Sequence, residues 1–140
     1  MRVRIPAAAG CVTAVGLVVA GSHLAAGQTA TCAGMFPAKV QPILDMNCVV
    51  CHQNAEPLGN LSLEAGAALK NTVGVASDEL ASMPRVTPGD AAKSYLLHKL
   101  DGTHEKVGGS GDRMPLGADP LSAADIATIQ TWIVNCKAAG

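Results

Sequence analysis

The chain has 140 residues, room for one domain. Ten Lys and Arg face 11 Asp and Glu, a net charge of −1, and the basic residues are few and scattered. That pattern excludes a nucleic-acid surface. Phe36, Tyr95 and Trp132 are the only aromatic residues, so large flat side chains do not fill the core by themselves.

The first segment reads as an export signal. Arg2 and Arg4 precede an uncharged stretch over 5–21, and the small residues Ala25, Ala26 and Gly27 follow. Basic start, apolar middle and small-residue exit are the layout of a secretory signal peptide. We assign residues 1–27 to the signal and 28–140 to the domain. A retained anchor is the alternative, since the apolar run is close to the length that spans a bilayer. Cys11 follows Ala8, Ala9 and Gly10 in the manner of a lipoprotein site, but too little apolar sequence precedes it.

Residues 28–35 are an irregular lead-in containing Cys32. Phe36, Val40, Ile43 and Leu44 then recur at helical spacing. Pro37 suits a first turn, whereas Pro42 shortens or kinks the helix over 36–47. This helix delivers the chain to Cys48-Val49-Val50-Cys51-His52.

Two thiols two residues apart, with a histidine directly after, are the signature of c-type haem attachment. The thiols add across the porphyrin vinyl groups as thioethers, and the tether places the next side chain under the ring. His52 is then the proximal ligand, and a methionine commonly completes the iron on the other face. A zinc finger needs a histidine pair much nearer than His98 and His104, and a thioredoxin-like pair needs a βαβ setting that is absent. Haem c is attached outside the cytoplasm, so the export signal and the motif support each other. A buried macrocycle would also supply the apolar bulk that the aromatic residues do not.

Pro57 and Gly59 mark a loop, and a short helix follows over 64–70, with an exit over 71–75 and a turn over 78–82. Thr87-Pro88-Gly89-Asp90 predicts a helix start, with Thr87 as N-cap, running on through Tyr95 and Leu100. Four glycines over 101–113 predict a flexible loop that hands over to Met114-Pro115. Ser122 and Asp125 open a last helix in which Ile126, Ile129, Ile133 and Cys136 share one face, with Trp132 beside it. No period-two strand is visible.

Taken together, Pro42-Ile43-Leu44 before Cys48-Val49-Val50-Cys51-His52, Pro88-Gly89-Asp90 with Ser94-Tyr95-Leu96, Arg113-Met114-Pro115, and Trp132-Ile133 in the last helix resemble the small monohaem cytochromes c. The resemblance covers the chain from about Val40 to its end. It implies an all-α globule of about four short helices wrapped around one covalent haem c, with the first and last helices crossing beside it. It implies one-electron transfer rather than enzymatic catalysis, with redox proteins as partners, a membrane oxidoreductase complex among them, in the periplasm or outside the cell. Cys48, Cys51, His52 and Met114 bind the cofactor, and His52 and Met114 are the iron ligands. Met114 follows the glycine-rich stretch that brings it across the haem; Met83-Pro84 is a second Met-Pro pair and the alternative ligand. Met46 is too near Cys48 to reach the opposite face.

Cys32 and Cys136 depart from the family's pattern, but Cys32 lies just ahead of the first helix and Cys136 in the last, elements that cross in the family the chain resembles, so a disulfide between them is expected; one buried and one exposed thiol is the alternative. His98 and His104 are read as solvated groups, and the lysines and carboxylates near them as an ordinary charged surface. Three rival functions remain: a haem enzyme such as a peroxidase, a ligand sensor with a labile sixth position, and a fixed subunit of a larger oxidoreductase.

Overall fold

The computed structural model describes residues 32–53 and 57–137. The export signal read over residues 1–27 lies outside them. The described residues are mostly helical, with isolated backbone bridges and no strand. Four α-helices follow in order: α1 (Gln41–Asn47), α2 (Ala68–Thr72), α3 (Tyr95–Asp101) and α4 (Ala123–Asn135).

A wide π-turn, Phe36–Val40, leads into α1. It forms where the two prolines predict trouble. Pro42 has no N–H with which to continue the ladder, and the turn before it widens so that the Gln41 amide bonds back to Phe36 O. Phe36, Val40, Gln41 and Leu44 are the buried positions of this bent element.

The last helix forms as its local signals predict. Ser122 Oγ accepts from the Asp125 amide at 3.1 Å and donates to its carboxylate at 2.7 Å. That closes the N-terminus and puts a negative charge in the first turn. Ile129, Trp132 and Ile133 are buried along one face. Burying each of these contributes about 1.5–3 kcal/mol. This face lies against the π-turn: the Phe36 and Trp132 rings are 4.9 Å apart at 59°, and Trp132 Nε1 donates to Cys32 O at 2.6 Å. All three aromatic residues are buried.

Three predicted elements differ. The short helix expected over 64–70 starts late and runs over Ala68–Thr72. Thr87 does not start a helix: Gly89 takes φ +78°, and Thr87 to Asp90 forms a bridged turn. Asp90 caps only the single 3₁₀ turn Ala91–Lys93, accepting from the Lys93 amide. Ser94 Oγ donates to Asp90 O and receives the Thr87 amide, so α3 begins afresh at Tyr95. The stretch over 101–113 is not a flexible loop either. Gly102, at φ +67°, ends α3, a 3₁₀ turn follows at His104–Val107, and the rest is tied down by side chains.

The Cys32 and Cys136 sulfurs lie at disulfide distance, with their Cα atoms 4.2 Å apart, which ties the lead-in of the π-turn to the end of α4. No helix of the described residues is long and apolar enough to cross a membrane.

Candidate functional site

The Cys48–His52 segment leaves the end of α1 as one tight turn. The Cys48 and Val49 amides both bond to Leu44 O, at 2.8 and 3.0 Å, and Cys48 O then accepts from Cys51 N at 3.2 Å and His52 N at 3.0 Å. Both thiols are free; Cys48 is half-buried and Cys51 exposed. Burial, and then the neighbouring Cys51, push the Cys48 thiol up to about 11. It therefore stays protonated at neutral pH, unlike the low-pKa nucleophile of a dithiol oxidoreductase.

The imidazole of His52 is fixed by its own loop. Its Nδ1 lies 2.8 Å from Leu58 O. A carbonyl oxygen only accepts, so Nδ1 carries the proton, and the neutral ring presents Nε2 as a bare donor atom. The loop returns because Gly59 and Asn60 take left-handed φ values of 65° and 49°. Further on, Leu63 N reaches His52 O at 2.8 Å.

Arg85 braces this return. Its guanidinium donates to Gly59 O at 3.0 Å, Asn60 O at 3.3 Å, Asn71 O at 3.0 Å and Asp78 Oδ1 at 3.0 Å. Its side chain is only 9% exposed. Sequence patterning gives no sign of this role, because the four acceptors are scattered along the chain.

Met114 is half-buried and packs against the same core cluster as Cys48, Val49 and Leu96. Its amide bonds to Lys99 O at 3.0 Å, and its peptide bond to Pro115 is cis. Beside it, Arg113 Nη2 donates to Ala118 O at 3.1 Å, while Nη1 is buried without a partner. Met83 lies in the bridged segment instead, where its carbonyl accepts the Ser77 amide. It is not among the residues packed on that cluster, whereas Met35 is. Met46 is fully turned to solvent.

Of the two histidines read as solvated, His98 is half-buried and His104 is not solvated at all. His98 has both ring nitrogens engaged, with Thr103 Oγ1 at 2.9 Å and Ala92 O at 3.0 Å. His104 is buried, its Nε2 2.8 Å from Gly111 O and its Nδ1 without a partner. Nor is Lys99 an ordinary surface lysine. It is buried in a pair with Glu79 at 2.7 Å, and Tyr95 Oη donates to the same carboxylate at 3.0 Å. The helical period places Lys99 between Tyr95 and Leu100 on α3; the only sequence hint of its partners is the glycine pair flanking Ser110, which demands close packing.

Among the described residues, no group of three or more His, Cys, Asp and Glu side chains is arranged to hold a metal ion. The candidate features are therefore the thiols of Cys48 and Cys51 with the oriented imidazole of His52 after them, and the Met114 thioether, which packs on the same core cluster as Cys48. Comparison of the chain with protein-family models, with curated proteins and with solved structures gives no match.

Proposed function

We propose that the chain is an exported electron carrier that holds one haem c through Cys48, Cys51 and His52, with Met114 as the second axial donor. The observation that carries this reading is the His52 ring. Its Nδ1–H is committed to Leu58 O, so Nε2 is left bare directly after two reduced thiols. An oriented second hydrogen bond of this kind is what a metal-binding histidine needs.

The residues present fit the group. Two thiols supply the tethers, and an imidazole with a soft thioether makes the donor pair of an electron-transfer haem. The unpartnered Nη1 of Arg113, buried one residue before Met114, suits a carboxylate such as a haem propionate. Val50 and Leu58 are 74% and 60% exposed beside the motif, apolar surface of the kind that a flat macrocycle covers.

When bound, the group supplies a one-electron couple between ferrous and ferric iron. The chain's part is to fix and tune it. Cys48 and Cys51 prevent its loss, Leu58 O holds the His52 plane, and the Met114 sulfur favours the ferrous state. Redox proteins, free or within a membrane oxidoreductase, would be the partners. The Cys32–Cys136 pair fits an oxidising compartment, as the export signal does.

The test is chemical. Haem should stay on the purified polypeptide through acid-acetone extraction and denaturing electrophoresis, and Cys48→Ala or Cys51→Ala should weaken that retention. The oxidised protein should show the weak near-infrared band of an iron–methionine bond. Haem that washes out of the wild type refutes the assignment. A wild type that keeps its haem, lacks the band and binds carbon monoxide readily is an enzyme or a sensor instead.

A further inference from the structure

We infer that Lys99 and Glu79 are positioning residues that set the strength of the Met114–iron bond by locking the glycine-rich loop before it; this rests on the reading of Met114 as a ligand. Lys99 grips the loop at two points. Its Nζ donates to Ser110 O at 3.0 Å, and its backbone oxygen accepts the Met114 amide at 3.0 Å. A single helical residue thus fixes both ends of the segment from Ser110 to Met114.

The grip is closed by a carboxylate at the surface edge of the buried lysine, its side chain 34% exposed. Glu79 Oε2 sits 2.7 Å from Lys99 Nζ and accepts from Tyr95 Oη at 3.0 Å, and Tyr95 Oη in turn lies 3.3 Å from the Ser110 amide. The loop rests directly on these groups. A Cβ at Gly111 would come within 2.6 Å of Glu79 Oε1 and 3.2 Å of Lys99 Nζ, and one at Gly109 would collide with the Tyr95 hydroxyl. His104 holds the same turn from the other side through Gly111 O. Glycine is needed here for close approach, and the loop has no room to slide.

A lysine with only 8% of its side chain exposed is seldom kept for stability alone, because desolvation offsets most of what the ion pair returns. What the pair does provide is a fixed geometry. A weak ligand such as a thioether depends on that geometry more than a nitrogen ligand does. The network does not contact the sulfur, so its effect passes through the backbone of residues 110–114.

The experiment compares holoprotein variants by near-infrared absorption, carbon monoxide binding to the ferrous form, and amide exchange at residues 110–114. Lys99→Met and Glu79→Gln should weaken the iron–methionine band, speed carbon monoxide binding by roughly tenfold or more, and expose those amides, because the first removes the donor to Ser110 O and the second leaves the buried Lys99 ammonium without its carboxylate. Lys99→Arg, which keeps charge and donors, should restore most of the band. Ile133→Val, which loosens the shared core without removing any hydrogen bond of Lys99, Glu79 or Tyr95, should leave the band in place. If Lys99→Met and Glu79→Gln match the wild type in all three readouts while Met114→Ala loses the band, the positioning role is refuted and the ligand reading stands. A band that survives Met114→Ala refutes both. Equal loss of the band in Ile133→Val shows general loosening and overturns the specific role.

Discussion

The strongest stability prediction concerns the Cys32–Cys136 pair. The two residues are 104 apart in sequence, so a bond between them closes nearly the whole domain into one loop. Loop-closure entropy for a ring of that size is about 4.7 kcal/mol at 25 °C, and measured values for native bridges centre on about 2–4 kcal/mol. The effect acts on the unfolded chain, so contacts in the folded state do not compensate for its loss. Trp132 Nε1 still bonds to Cys32 O whether or not the sulfurs are joined. The double variant Cys32→Ala/Cys136→Ala should therefore keep its fold and lose about 3–4 kcal/mol. With a urea slope of about 1.5 kcal/mol per molar, the midpoint falls by roughly 2 M. Urea unfolding followed by Trp132 fluorescence measures this, with alkylation of the unreduced wild type as the companion assay. A midpoint that moves by less than about 0.5 M, or thiols at 32 and 136 that alkylate without reduction, would refute the reasoning.

Two further predictions follow from buried polar groups. Arg85→Met leaves Gly59 O, Asn60 O and Asn71 O without their donor and should cost about 3–5 kcal/mol in urea unfolding, whereas Arg85→Lys, which cannot span all of them, should recover only part of the loss. Burial first, and then the hydrogen bond to Glu79, raise the Tyr95 phenol above its ordinary value of 10.0. Below pH 10 the phenol is neutral in both states; above it the unfolded chain ionises first, so stability should fall as pH rises, and Tyr95→Phe should flatten that fall between pH 9 and 11.

Local chemistry was legible and long-range chemistry was not. The Ser122–Asp125 cap and the apolar face of α4 are written within one helical turn of one another, and the structure has both. The prolines around the π-turn likewise announce a disturbed helix, though not its form. Thr87-Pro88-Gly89-Asp90 misled because a start signal says nothing of Gly89, whose φ of +78° cannot continue a helix. His104 and Lys99 were misread, and Arg85 passed over, for a different reason. A polar residue is assigned to the surface by default, and the partners that make burial tolerable come from segments up to 26 residues away. The motif proposed to hold haem belongs to the first kind: Cys48, Cys51 and His52 are neighbours, but the Leu58 carbonyl that orients the imidazole is visible only in the fold.

The placement of the two ion pairs, each a buried cation on a more exposed carboxylate, connects these observations. Asp78 binds Arg85, which braces the return loop beneath His52, and the next residue, Glu79, binds Lys99, which braces the loop before Met114. Consecutive carboxylates in one short turn thus reach toward both candidate ligand loops. The turn is itself held by the Ala76–Pro84 bridge and by the Ser77 amide on Met83 O. In a chain with three aromatic residues, apolar packing gives limited control over such loops. Charged hydrogen bonds are directional where apolar contacts are not, so a small core can specify loop geometry with them at little net gain in stability. On this argument, the 78–79 turn is where a single insertion would disturb both loops at once, without touching any of the residues proposed to hold the cofactor.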